Sequence, residues 1–136
     1  MIKPIMKSEF FLRLPSEDAG PDDAATGQDL LDTLHEHEHE CVGLAANMIG
    51  VRKRIICVKD GSKALLMYNP QILEQVNSYQ TSEGCLSLAG ERPCTRYRRI
   101  KVEYLDENFV HCIKNFSGYT AEIIQHEIDH CCGIVV

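Results

Sequence analysis

Apolar and polar positions change their period along this chain, and the changes mark out its elements. From Thr26 to Glu40, TGQDLLDTLHEHEHE places Leu30, Leu31 and Leu34 on one side of a 3.6-residue helix, with Thr26 as its cap. That helix is expected to end near the glycine of CVGLAANMIG. RIICVK (54–59) and ALLMYN (64–69) then read as two strands joined by a tight turn at Asp60-Gly61-Ser62. Pro70 opens another extended stretch, QILEQVNSYQ, and TRYRRIKVEYLDENFVHCIKNFS alternates about Asp106-Glu107-Asn108 as a hairpin does. Near the end the period returns to helical. Ile124 and Ile128 make one apolar row with Ile123 beside it, running from a cap at Ser117 or Thr120 through Ala121 to His130. The expected class is α+β, with a largely buried C-terminal helix packed against antiparallel β-sheets. No proline-rich or glycine-serine linker and no internal repeat divides the chain, so residues 1–136 read as a single domain.

Composition narrows the function. At 136 residues, 44% hydrophobic and 25% charged, the chain is long enough to bury a real core and is neither disordered nor fibrous. A net charge of −6, with no basic stripe and no RNA-type aromatic motif, argues against sequence-specific nucleic-acid binding. The start, MIKPIMKSEFFLRLPSEDAG, lacks the apolar run of a signal peptide, and no segment approaches the length of a membrane span. A cytoplasmic location without membrane contact is therefore expected. Seven cysteines, an odd number, then read as free thiols with one or two at most used as metal ligands.

The chemistry concentrates in QHEIDH (125–130). His126 and His130, four apart on a helix, can reach one ion while Glu127 stays close enough to act as a base. On an apolar helix, burying two imidazoles and a carboxylate without partners would cost several kcal/mol, and a metal ion supplies the partner. Only six residues follow His130, and none is a histidine or a glutamate, so a third ligand has to come from upstream. TSEGCLSLAG offers Cys85, flanked by Gly84 and preceded by Glu83. One thiolate with two imidazoles would leave an open tetrahedral position, whereas a plain buried core thiol is the other reading of Cys85. His35 and His39 also stand four apart, but in so charged a run they read as a solvated helix face.

Three segments in order, GLAANMIG (43–50), EGCLS (83–87) and QHEIDH (125–130), resemble the three signature motifs of the peptide deformylases. The resemblance spans most of the chain and implies that family's α+β fold, with a central helix carrying the histidines among surrounding sheets. It implies Cys85, His126 and His130 as metal ligands, Glu127 as general acid/base, and the backbone N–H of Leu86 as a donor to the oxyanion. It further implies Fe²⁺ as cofactor, with Ni²⁺, Co²⁺ or Zn²⁺ able to take its place. The implied reaction removes the formyl group from the N-terminal methionine of nascent proteins and releases formate. The implied partners are N-formylmethionyl peptides and, transiently, the ribosome.

Gly43 and Leu44 match the positions whose backbone lies beside the bound peptide, though Gly43 also reads locally as a helix C-cap. Arg92, seven residues after Cys85, is expected near the substrate or paired with Glu83. Val42, Leu86, Tyr119 and Ile123 are candidates for an apolar methionine pocket, and Glu83 and Gln125 for orienting the ligands. The chain departs from the family pattern at Cys41, often glycine, and at Met48, where the family has a glutamine that donates to the oxyanion. Methionine cannot donate, and losing one such donor costs about 10²- to 10³-fold in turnover unless a water or Asn47 substitutes. Two other readings stay open: a non-catalytic metal-binding relative, for which Glu127 would be superfluous, and a zinc peptidase, which would need a ligand beyond His130.

Overall fold

Five strands, β1 (Gly43–Ala45), β2 (Ile55–Asp60), β3 (Lys63–Glu83), β4 (Arg92–Leu105) and β5 (His111–Ser117), lie in chain order in one antiparallel sheet. The computed structural model describes all 136 residues. Gly61, at φ +65°, makes the tight β2–β3 turn. In the β4–β5 turn, Oδ1 of Asp106 accepts the N–H groups of Asn108 and Val110. The stretches expected as separate strands on either side of Pro70 are one strand with an irregularity. Register skips between Tyr68↔Leu105 and Gln71↔Glu103, which accommodates a residue with no N–H to give. Asn69 sits there at φ 55°, and its amide exchanges two hydrogen bonds with the backbone of Ala19.

Three helices accompany the sheet: α1 (Glu9–Leu12), α2 (Ala24–Glu36) and α3 (Gly118–Cys131). Helix α2 begins two residues before Thr26 and stops four short of Glu40. From His35 to Glu40 the sequence offers no apolar side chain for burial, and a short helix holds only as far as it packs. The His-Glu run therefore continues as turn, and His35 and His39 point to solvent with 83% and 93% of their side chains exposed, which rules out a shared helical face.

Helix α3 is anchored by burial rather than by capping. Ser117 makes no side-chain cap, and the Thr120 hydroxyl donates instead to Asp60 on β2. Ala121 and Ile124 are fully buried, and each Leu- or Ile-sized side chain so buried contributes roughly 1.5–3 kcal/mol. The helix lies against β1, β2 and β4, and its His126 and Glu127 share a cleft with the β3–β4 connection. On its other side the core runs through Ile55, Ile56, Val58 and Met67 to Leu30 and Leu34 of α2. No helix is long and apolar enough to cross a membrane.

Candidate metal centre

The i, i+4 spacing on α3 brings the Nε2 atoms of His126 and His130 to 3.0 Å from each other, both side chains being buried. Nδ1 of His126 lies 2.8 Å from Oε1 of Glu83, and since a carboxylate only accepts, this nitrogen carries the proton. In the neutral ring this leaves the His126 Nε2 lone pair facing His130. Burial works against the charged form of His126, but the Glu83 hydrogen bond outweighs it and the pKa rises above the ordinary histidine value. Burial, reinforced by the neighbouring His126 charge, pushes His130 down to about 3, so this ring is neutral.

Glu127 completes the group: its carboxylate and the two imidazoles offer ligand atoms within 4.8 Å of one another. Its Oε1 is buried and makes no hydrogen bond, as does Nδ1 of His130. Burial, with a smaller push from the Glu83 charge, raises its pKa to about 7. Gly43 makes room for it. A Cβ on Gly43 would stand 2.7 Å from Ile123 Cγ2 and 2.9 Å from Glu127 Oε2, so even alanine would have to displace the carboxylate. Gly43 is the first residue of β1, well past the end of α2, and the helix C-cap reading is set aside.

Holding Glu83 is an arginine that the sequence reading missed. Arg96 on β4 is 4% exposed, and its Nη2 and Nε reach Glu83 at 2.7 and 3.1 Å while Nη1 reaches Asp129 at 2.7 Å. Burial works against the Glu83 charge, but the bonds from His126 and Arg96 hold its carboxyl well below the usual range. Arg92, expected opposite Glu83, is its register partner in the ladder, yet its guanidinium turns to Glu9 of α1 at 3.3 Å. Gln125, expected to orient a ligand, instead ties α3 to β4 through both backbone groups of Tyr97.

His126 and Glu127 line a cleft of about 1040 Å³, with His130 fully buried behind them. Cys85 and Leu86 line its wall, with Val42, Tyr119 and Ile123 around them; the Cys85 thiol does not join the tight His-Glu-His group. The outer edge of β1 pairs with no strand.

Residues 6–136 match the family model described as polypeptide deformylase. The chain is 50% identical to the peptide deformylase of Clostridium beijerinckii over 136 residues, all of both chains. The chain belongs to the peptide deformylase family. Solved structures agree: a peptide deformylase from Thermotoga maritima superposes with a TM-score of 0.89 at 27% identity, covering 99% of this chain and 95% of that one. A class I type b peptide deformylase from Acinetobacter baumannii, bound to Met-Ala-Ser, gives 0.87 at 28% identity, covering 99% and 96%. Peptide deformylases are metal-dependent hydrolases that remove the formyl group from the N-terminal methionine of nascent proteins, and this is the activity of the chain. In this family member Met48 is 1% exposed, and its Sδ takes the Ala45 N–H at 3.5 Å. Asn47 does not line the cleft, and its buried amide nitrogen donates to the carbonyl of His130 at 2.9 Å.

Proposed function

We propose that Cys85, His126 and His130 hold the catalytic ion, Fe²⁺ by preference with Ni²⁺, Co²⁺ or Zn²⁺ as substitutes, and that the whole of residues 1–136 acts as one domain around it. The observation that carries this reading is the pair of Nε2 atoms 3.0 Å apart beside a buried carboxylate with an unpartnered oxygen. Two imidazoles whose Nε2 atoms converge on one point suit a divalent cation, which would take the place of any proton between them, and a thiolate from the cleft wall completes a set that iron, nickel, cobalt and zinc all accept. When bound, the ion polarises the formyl carbonyl and lowers the pKa of a coordinated water.

The chain's own residues do the rest. Glu127 takes a proton from the attacking water and returns it to the leaving amine, a task suited to a carboxyl poised near neutrality. The Leu86 N–H faces the developing oxyanion. Glu83 and Arg96 fix the His126 ring. The substrate backbone adds to the free edge of β1 along Gly43 and Leu44, while Val42, Leu86, Tyr119 and Ile123 enclose the methionine side chain. Met48 borders this space, and Arg92 supports its rim through Glu9. The substrates are N-formylmethionyl peptides met in the cytoplasm, with ribosome contact transient, and the reading involves no direct nucleic-acid or membrane contact.

The test is formate release from a formyl-Met tripeptide by anaerobically purified protein reconstituted with Fe²⁺ or Ni²⁺. Release proportional to bound metal is expected. Stoichiometric metal binding without any release would remove the assigned roles and leave a metal-binding relative. A second experiment addresses Met48. Met48→Gln keeps the side-chain length and restores an amide, and is expected to raise kcat by about 10- to 100-fold. An unchanged or lower kcat would show that this position does not limit the oxyanion site.

A further inference from the structure

The segment 84–91, which carries both Cys85 and Leu86, has no helix or strand of its own. Its Leu86 and Leu88 side chains pack against the core, and Ser87 is 2% exposed with its hydroxyl unpartnered. One hydrogen bond connects this segment to the rest of the chain outside the sheet ladder. It comes from Nζ of Lys7, 2.8 Å from the carbonyl oxygen of Leu86. Lys7 forms no ion pair, although the chain carries an excess of acidic groups. Lys7 lines the catalytic cleft, as do Met48 and Leu86.

The residue before it makes the complementary contact. The N–H of Met6 donates to the carbonyl oxygen of Met48 at 2.7 Å. Two consecutive residues of the N-terminal segment thus tie together the two stretches that border the oxyanion, Met48 on one side and Leu86 on the other. The geometry points to Lys7 as a positioning residue for deformylation: it holds the Leu86 residue, and with it the Cys85–Leu86 turn, so that the Leu86 N–H faces the reacting carbonyl. This rests on the assignment of Leu86 as oxyanion donor made above. The physical ground is that a charged donor to a carbonyl is stronger than a neutral one, and that a donor aids a transition state only when its direction is fixed beforehand. With Met48 unable to donate, the site leans on the Leu86 N–H more heavily, and its fixed direction matters more.

Lys7 is exposed, so its replacement should leave the fold intact, as far-UV circular dichroism and metal content would verify. Lys7→Met is expected to lower kcat about tenfold with KM within about twofold, the loss fitting one charge-assisted hydrogen bond, and Lys7→Arg to restore most of it. The independent readout is the metal-free protein. There Lys7→Met should speed iodoacetamide labelling of Cys85, located by mass spectrometry, and the amide exchange of residues 84–91 by several-fold, with Lys7→Arg again close to the parent. Labelling and exchange unchanged in Lys7→Met would overturn the proposal, as would a change confined to KM. If the parent releases no formate, the assigned roles above fail, while the labelling and exchange experiments still decide whether Lys7 holds the segment.

Discussion

Replacing Glu127 with glutamine is expected to lower kcat by about 10²- to 10⁴-fold, the range assigned to a positioned general acid/base. The amide preserves volume and shape, so Gly43 and Ile123 need not move and the metal stoichiometry should match the parent. What it removes is the ability of Oε1, buried and free of any hydrogen bond, to accept a proton. A structural explanation of that oxygen is hard to sustain, because a buried carboxylate without a partner is a cost that an apolar side chain of similar size would avoid. Formate release measured at equal metal loading decides it. A variant with turnover within about threefold of the parent would mean that the proton goes elsewhere. A variant that had lost its metal would assign Glu127 to the ion instead.

The local pattern made the histidine helix legible, and the reason is periodicity. An i, i+4 pair needs only that the segment be helical, and Ile123, Ile124 and Ile128 supplied the burial that makes it so. The α+β class and the strand-rich middle were legible for the same reason, since alternation survives whichever strands pair. Tertiary geometry governed what was missed. Arg92 and Arg96 stand on one strand, both within reach of Glu83 in any sequence-level estimate, and the ladder even places Arg92 opposite it. Only the fold shows that Arg92 turns to Glu9 of α1, while Arg96 runs inward beneath α3 where Asp129 offers a second carboxylate. The contact of Lys7 was equally invisible, because its partner is a backbone carbonyl 79 residues away, and backbone groups leave no trace in side-chain pattern. Helix α2 ended early because local helix spacing at His35 and His39 carried no burial to sustain it.

Arg96→Met should destabilise the protein more than any surface change and also loosen the metal site. The guanidinium is almost wholly buried and bonds both Glu83 and Asp129. Removing one partner from such a group strands the Glu83 carboxylate, a loss on the order of 3–5 kcal/mol, which for a domain of this size means a Tm lower by roughly 10 °C or more. Glu83 would then rest on His126 alone, and its uncompensated charge would pull the ring away from the lone-pair direction that faces His130. Weakening of this kind behind a metal-binding imidazole typically costs about 10- to 100-fold in affinity. The double replacement Glu83→Gln with Arg96→Met separates the two effects. If the network acts as a unit, the double variant should be more stable than the sum of the single losses predicts, because no lone charge remains buried. Strictly additive losses, or an Arg96→Met protein with parental Tm and metal affinity, would show that Glu83 orients His126 without help from the arginine.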